Sequence, residues 1–142
     1  MFLGEYAYVI DQKGRLAIPP RFREAFRDGL VLARGFDKCI LIYPMAEWKE
    51  MAQSRASLPP TRSSVRRANR YTFSGAFDLE LDKQGRVLVP SALRDYSEIR
   101  AEVVVLGLYN YLEIWARETW ENEKSQMSAA SWQIGESVEY RE

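Results

Sequence analysis

The chain carries one short motif twice, and this repetition constrains its fold more than any other feature of the sequence. Residues 11–19 read Asp-Gln-Lys-Gly-Arg-Leu-Ala-Ile-Pro, and residues 82–90 read Asp-Lys-Gln-Gly-Arg-Val-Leu-Val-Pro. The match extends from residue 2 to residue 48 at a shift of 71, which becomes 72 after one inserted residue. Apolar positions stay apolar throughout. Two copies of one supersecondary unit, related by a pseudo-twofold axis, explain this better than chance.

Each copy begins with apolar or aromatic residues and glycine at every second position, a pattern that predicts a half-buried strand. These positions are Phe2, Gly4, Tyr6, Tyr8 and Ile10 in the first copy and Phe73, Gly75, Phe77, Leu79 and Leu81 in the second. The motif that follows predicts a tight turn, because its aspartate can accept backbone N–H groups and its glycine can adopt a positive φ. The strands that return from the turns place apolar side chains on the core side and arginines on the opposite side. The core-facing residues are Leu16, Ile18, Val87 and Val89, and the outward-facing residues are Arg15 and Arg86.

The remaining elements follow in the same order in both copies. Short proline-started helices are predicted at residues 19–26 and 90–94. Hairpins are predicted from strands at 30–33 and 39–43 and from strands at 102–106 and 111–115. Closing helices are predicted at 46–56, burying Trp48, Met51 and Ala52, and at 117–127, burying Trp120 and Met127. One more helix, residues 62–70, follows a Leu-Pro-Pro break.

Together these elements predict an α+β fold that is rich in β-structure, with two repeats flanked by short helices. We place the first repeat at residues 1–57, a linker helix at 58–71, the second repeat at 72–130 and a C-terminal tail at 131–142. The last residues of the tail, 139–142, are expected to be frayed.

The composition argues against catalysis and against a membrane protein. The chain has one cysteine, Cys39, and no histidine, so it lacks the usual general base and the commonest metal ligand. We therefore expect no enzyme activity, no metal and no cofactor, and we predict that Cys39 is a small buried apolar residue. No apolar run is long enough to span a bilayer, and the first residues do not resemble a signal peptide, so we expect a cytoplasmic protein.

The net charge of zero conceals an asymmetry between the two halves. Residues 1–71 carry 13 basic and 7 acidic side chains, a net charge of +6, whereas residues 72–142 carry the reverse, a net charge of −6. This distribution predicts either a polyanionic partner for the first half or attraction between the halves, within one chain or between chains.

The two turns are the strongest candidates for a functional site. A hairpin tip is narrow enough for the major groove of DNA, arginine can bind O6 and N7 of guanine with two hydrogen bonds, and lysine can contact phosphate. The candidate DNA-binding residues are Gln12, Lys13, Gly14 and Arg15 in the first turn and Lys83, Gln84, Gly85 and Arg86 in the second, with Asp11 and Asp82 in a structural role. The alternative is an ordinary turn with a local aspartate–arginine ion pair and a solvated basic residue. Because packing does not require an outward arginine in both copies, we favour DNA binding.

A stripe of arginines on the predicted linker helix is a second basic feature. Arg62, Arg66 and Arg70 recur at every fourth position and therefore share one helix face. Their mutual repulsion predicts an anionic partner, which is either phosphate or an acidic protein surface, unless the face is simply solvated.

With both Asp-x-x-Gly-Arg turns identified, the sequence resembles the MraZ family of bacterial regulators, which are built from two AbrB-like swapped-hairpin repeats. The paired turns and residues 1–6, 34–38 and 71–76 carry the resemblance, which covers almost the entire chain. It implies a pseudo-twofold swapped-hairpin β-barrel. It also implies a nucleoid-associated transcription factor that binds G-rich direct repeats in double-stranded DNA upstream of its own division and cell-wall operon, and that typically represses that operon. It further implies a homo-oligomer in the form of a closed ring, with DNA contacts from Arg15 and Arg86.

A protein of another class remains open at this point. An oligomeric assembly or scaffold protein could use the turns to meet another protein and the charge asymmetry to polymerise. Such a protein would associate without DNA, and any DNA binding would depend only weakly on salt.

Overall fold

The computed structural model describes residues 1–139; residues 140–142, most of the end expected to be frayed, lie outside the described part. The first repeat contains β1 (Phe2–Val9), β2 (Arg15–Ala17), a 3-10 helix (Pro20–Phe26), β3 (Leu30–Arg34), β4 (Ile40–Pro44) and α1 (Met45–Ala56). The connecting helix is α2 (Ser63–Ser74). The second repeat contains β5 (Phe77–Leu79), β6 (Arg86–Leu88), α3 (Ser91–Tyr96), β7 (Glu102–Tyr109), β8 (Leu112–Ala116) and α4 (Arg117–Ala129), and α5 (Ser131–Glu139) follows it. The fold is therefore α+β, as predicted.

The two repeats exchange strands. A six-stranded antiparallel sheet has the order β1-β7-β8-β4-β3-β5, so the first strand of each repeat pairs with the third strand of the other. Exchanging the two repeats converts this order into its own reverse, which is the pseudo-twofold relation predicted from the sequence. In the hydrogen-bonded order of the described strands, β1 and β5 are the two edges of the sheet, and β2 and β6 form a separate two-stranded ribbon. The closed barrel that the resemblance implied stays a prediction.

The two strands that follow the turns, β2 and β6, form a short two-stranded ribbon. β2 and β6 pair antiparallel, with Leu16 opposite Val87. Both of these side chains are fully buried, as are Ile18 and Val89 just beyond the strands, so the predicted core-facing residues are confirmed. They belong to one apolar core to which both repeats contribute, together with Phe2, Ile10, Phe22 and Phe26 among others. Burying this shared surface is the main favourable term that holds the repeats together.

The first strand of the second repeat is shorter than predicted. The alternation from Phe73 to Leu81 predicts a strand, but α2 continues to Ser74 and β5 occupies only Phe77–Leu79. The end of α2 is fixed by contacts from the first repeat, because Nη2 of Arg34 donates to the carbonyl of Tyr71 at 2.6 Å. A guanidinium bound to the last turn of a helix satisfies one of its free carbonyls, so tertiary contact here overrides the local pattern.

The helices that close the two repeats, α1 and α4, differ in how far their apolar side chains are buried. Trp120 on α4 is buried against Trp115 and Cys39, as predicted, and Met127 is partly buried beside them. By contrast, α1 has no fully buried residue, and the residues predicted to be buried, Trp48, Met51 and Ala52, are only half-buried. Burial raises the pKa of the Cys39 thiol, which is consistent with the predicted inert apolar role.

The close pairing of β1 with β7 allows a direct test of the strand exchange. Gly4 lies opposite Gly107, and a Cβ atom at Gly107 would come within 2.5 Å of the backbone nitrogen of Leu3. Since two backbones cannot separate without breaking the ladder, Gly107→Ala should lower the free energy of unfolding by about 2 kcal/mol or more. Chemical denaturation measures this loss.

Gly135 on α5 provides the matched control. A Cβ atom there would meet nothing within 4 Å. Gly135→Ala should leave stability unchanged or raise it by up to about 1 kcal/mol, because alanine favours helix. Equal stability of the two alanine variants would show that β1 and β7 do not approach each other as described.

Candidate nucleic-acid interface

Each turn is built around one aspartate carboxylate. In turn 1 (residues 11–15), Oδ1 of Asp11 accepts the backbone N–H groups of Lys13 and Arg15, both at 2.9 Å. The N–H of Gly14 donates to the carbonyl of Asp11 at 2.9 Å, and the N–H of Asp11 donates to the carbonyl of Arg15 at 3.0 Å. These four bonds, all made within residues 11–15, define the shape of the turn.

Turn 2 (residues 82–86) repeats this geometry. Oδ1 of Asp82 accepts the N–H groups of Gln84 and Arg86, both at 2.9 Å. The two cross-turn backbone bonds measure 3.0 and 2.8 Å. Gly14 has φ +86° and Gly85 has φ +75°, the left-handed conformation that the sequence predicted for both glycines.

The same aspartates orient the turn arginines. Nε of Arg15 donates to Oδ2 of Asp11 at 2.7 Å, and Nε of Arg86 donates to Oδ2 of Asp82 at 3.0 Å. The local ion pair of the alternative interpretation is therefore present in both turns. It uses only Nε, however, and no group in residues 1–138 hydrogen-bonds the two Nη atoms of either arginine. With side-chain exposures of 33% and 28%, both guanidinium groups have their paired Nη donors available to an external acceptor.

Both turn arginines lie on one face of the β2–β6 ribbon. Arg15 is opposite Leu88 and Arg86 is opposite Ala17, whereas the intervening Leu16–Val87 pair faces the core. Side chains alternate along a strand and directly opposed residues share a face, so the two arginines point to the same side. Their separation along the ribbon is two residues, or about 7 Å.

The other predicted site residues divide into exposed and buried groups. Gln12 and Lys13 in turn 1 and Lys83 and Gln84 in turn 2 are all exposed at the tips. Gly14 and Gly85 are buried, because side chains of the protein cover them. Arginine side chains of the protein therefore lie against the backbone of both glycines, and a DNA contact by Gly14 or Gly85 stays a prediction.

The residues that cover the glycines, Arg94 and Arg23, were not predicted as part of the site. Arg94 of the second repeat lies over Gly14 of the first, and Arg23 of the first repeat lies over Gly85 of the second. Each also donates its Nε to a carbonyl just beyond the ribbon strand of its own repeat. Nε of Arg23 donates to the carbonyl of Ile18 at 2.9 Å, and Nε of Arg94 donates to the carbonyl of Val89 at 3.1 Å. The available sequence signal was their recurrence at the same position in both copies of the repeat.

Backbone bonds also cross between the repeats at the turns. The N–H of Ile18 donates to the carbonyl of Gly85 at 3.0 Å, and the N–H of Val89 donates to the carbonyl of Gly14 at 2.8 Å. Each turn is thus anchored by the strand of the other repeat.

The arginine stripe, which begins at the residue before α2 and continues along that helix, is exposed. Arg62 and Arg70 are exposed, and Nη1 of Arg66 donates to the carbonyls of Pro60 and Thr61 at 2.8 and 3.1 Å. The described residues place no carboxylate within ion-pair distance of these arginines. Three glutamates of the acidic second half, which could have formed such a partner surface, pair with other cations: Glu98 with Lys38, and Glu102 and Glu121 with Arg117.

Two other kinds of site are absent from the described chain. The described side chains, those of residues 1–138, include no cluster of three or more cysteine, aspartate or glutamate residues arranged to hold a metal ion. No helix in this range combines the length and the apolar character that crossing a bilayer requires.

The fold and the site define a class of protein: two exchanged α+β repeats that present paired Asp-x-x-Gly-Arg turns on one ribbon. The sequence model of the family described as "MraZ protein, putative antitoxin-like" matches this chain twice, at residues 1–71 and 72–137. The chain belongs to the MraZ family.

Three relatives illustrate the similarity, and each is named Transcriptional regulator MraZ. The protein from Dehalococcoides mccartyi is 48% identical over 98% of this chain and 99% of its own length. Those from a Roseiflexus species and from Herpetosiphon aurantiacus are 48% and 50% identical, over 91% and 85% of this chain and 90% and 85% of their own lengths.

The carboxylates that build the turns make stability depend on pH. The backbone N–H of Arg15 holds the pKa of Asp11 below its ordinary value of 3.8, and the N–H of Arg86 does the same for Asp82. Because each pKa is lower in the folded state, the ionised carboxylates stabilise the fold above pH 3.8, and this contribution disappears as the pH falls through the lower folded value. The double variant D11N/D82N should therefore be less stable than the unsubstituted protein at neutral pH, by a difference that shrinks in acid.

Denaturant titrations of both proteins across this pH range measure the difference. Asp28→Asn, at an exposed aspartate outside both turns, is the control and should not reproduce the pattern. A stability difference between D11N/D82N and the parent that stays constant down to about pH 2 would contradict the assigned role of the carboxylates.

Proposed function

We propose that this chain is a transcriptional regulator that binds a specific sequence of double-stranded DNA through turns 1 and 2. The name of the relatives supports regulation of transcription. The observation that carries the DNA-binding part is the paired arrangement of Arg15 and Arg86, each oriented through Nε with its two Nη donors free. Preorganised donors lose little entropy on binding, so such a pair suits a planar acceptor edge.

The proposed contacts follow from the chemistry of the exposed groups. The Nη donors of Arg15 and Arg86 bind O6 and N7 of guanine, the commonest specific contact in the major groove. Lys13 and Lys83 contact phosphates, and Gln12 and Gln84 reach phosphates or base edges beside the guanines. Because both arginines lie on one face of the ribbon, a single molecule addresses neighbouring base pairs of one duplex.

The resemblance to the family supplies the finer parts of the proposal. The target is a set of G-rich direct repeats upstream of the protein's own division and cell-wall operon, and the outcome is typically repression. The protein acts in the cytoplasm in association with the nucleoid. Its repeats form an AbrB-like swapped-hairpin unit, divided at residues 57, 71 and 130.

A homo-oligomer, in the form of a closed ring, completes the proposal. The exposed arginines of α2 lack carboxylate partners among the described residues of their own chain, and the two halves carry charges of +6 and −6. Head-to-tail contacts between a basic and an acidic surface generate rings when the rotation closes. Several weak turn contacts would then add up over spaced DNA repeats. The exposed arginines without carboxylate partners in the described part of the chain also favour the second candidate function, an oligomeric assembly protein without a specific DNA target.

Substituting the turn arginines tests DNA binding directly. The test DNA is a promoter fragment, a duplex that carries the G-rich repeats upstream of the protein's own operon. Arg15→Ala and Arg86→Ala should each weaken binding to this fragment by about 1–3 kcal/mol, and should reduce the preference for it over a scrambled duplex. The basic first half makes Arg15 the larger expected contributor. Fluorescence anisotropy titrations with both duplexes measure the effect.

Arg27→Ala is the matched control, since Arg27 is exposed and paired locally with Glu24 outside both turns. It should bind both duplexes as the parent does. If both turn variants bind the promoter as tightly as the parent, DNA reading by the turns is wrong and the assembly function gains support.

The dependence of oligomer size on salt tests the charged interface. If opposite charges join the subunits, raising the salt concentration from about 0.1 to 1 M should shift the protein to smaller species, because the screening length falls from about 10 to 3 Å. Arg62→Ala/Arg70→Ala should produce smaller species already at low salt. Sedimentation velocity without DNA measures both effects. A complex that is indifferent to salt and to these substitutions would indicate an apolar interface.

A further inference from the structure

We propose that Arg94 and Arg23 are the second phosphate-binding cations of the two turns, supplied in exchange between the repeats. Arg94 of the second repeat serves turn 1, and Arg23 of the first repeat serves turn 2. Each contacts a backbone phosphate of the bound duplex while Arg15 or Arg86 of that turn contacts a base. The inference rests on the proposed DNA binding and specifies which groups make up each binding turn.

Each of these guanidinium groups lies directly against a turn. Cζ and Nη2 of Arg94 lie 3.1 Å from the point that a Cβ on Gly14 would occupy, so the guanidinium rests on the turn backbone. Arg23 rests on Gly85 in the same manner. Both are partly exposed. A guanidinium that covers the residue beside Arg15 flanks the tip that enters the groove, and the phosphates flank the base edges there.

Both side chains use only part of their hydrogen-bonding capacity within the protein. Nε of Arg94 donates to the carbonyl of Val89, and Nε of Arg23 donates to the carbonyl of Ile18. No group in residues 1–138 hydrogen-bonds their Nη atoms. Holding a backbone carbonyl requires a single neutral donor. A full guanidinium with two unused donors is more than this structural task needs, and it suits the bidentate binding of a phosphate.

Each turn also keeps an excess of positive charge. The aspartate neutralises one cation of the turn, but the lysine and the exchanged arginine remain, so each turn carries a net charge of about +2. The described residues give neither Arg23 nor Arg94 an ion-pair partner. Two like charges kept beside each other cost free energy unless an anion offsets them, and a duplex supplies closely spaced phosphates.

The first experiment separates charge from structure at one position. Arg94→Gln keeps a neutral donor for the carbonyl of Val89 and removes the charge. It should weaken binding about tenfold to promoter and scrambled duplexes alike, and make the plot of log affinity against log salt flatter by about 0.9 for each phosphate that is no longer neutralised. Arg94→Lys retains a phosphate-binding cation and should keep the slope of the parent. A parental slope in Arg94→Gln, or the same flattened slope in both variants, would overturn the inference.

The second experiment tests the exchange. In double-mutant cycles, Arg94→Gln should couple with Arg15→Ala and be nearly additive with Arg86→Ala, whereas Arg23→Gln should show the opposite pattern. Coupling within a repeat, or no difference between the two pairings, would overturn the assignment. Arg27→Gln is the control for the removal of an arginine elsewhere.

These outcomes are distinct from failure of the proposed function. If Arg15→Ala and Arg86→Ala leave promoter binding intact, DNA reading by the turns itself fails. If those variants lose binding while Arg94→Gln and Arg23→Gln keep the parental affinity and salt slope, only the present inference fails.

Discussion

The exchange of backbone hydrogen bonds between the repeats is the constraint on which the rest of the structure depends. β1 and β5 complete the sheet beside strands of the other repeat, and Ile18 and Val89 donate across to the turn glycines. A buried backbone donor that loses its partner costs about 1–3 kcal/mol, so neither repeat can withdraw without leaving several such groups unsatisfied. The position of each turn is therefore set by the repeat to which it does not belong.

Because the turns are anchored in this way, the aspartate–arginine pairs can hold the arginines in a defined orientation, which they could not do in an isolated, mobile hairpin. A partly exposed ion pair contributes little to stability, typically below about 1 kcal/mol. In both turns it orients a partly exposed guanidinium through Nε, on a ribbon whose opposite face carries fully buried side chains such as Leu16 and Val87. The ion pair, which the sequence offered as the alternative to DNA binding, is compatible with the proposed binding role, because it occupies only Nε of each arginine.

The sequence predicted local elements well where the pattern was short and repeated. Both Asp-x-x-Gly-Arg turns, both hairpins and the inward direction of Ile18 and Val89 follow from period-two alternation and from turn chemistry. It failed where an element is settled by a distant contact. The alternation at Phe73 is as regular as that at Phe2, yet the arginine at position 34 holds this segment at the end of α2. Likewise, α1 carries apolar residues at helical spacing, but Trp48 packs edge-on against only the rings of Tyr43 and Phe73 among the aromatic residues described, and it is only half-buried.

By itself, the sequence determined the number of repeats, the shape of each turn and the side of the ribbon to which Arg15 and Arg86 point. These features depend on hydrogen bonds and alternation within a few residues, which the local sequence encodes completely. Only the tertiary structure decided that β1 pairs with β7, and that Arg23 and Arg94 lie on each other's turns. The physical reason is that the repeats are alike: a strand that can pair with β7 has nearly the same complementarity to β3. Burial of the core shared by both repeats decides between pairing with β7 and pairing with β3. That core is assembled from residues far apart in the chain, so no short segment of the sequence encodes the choice.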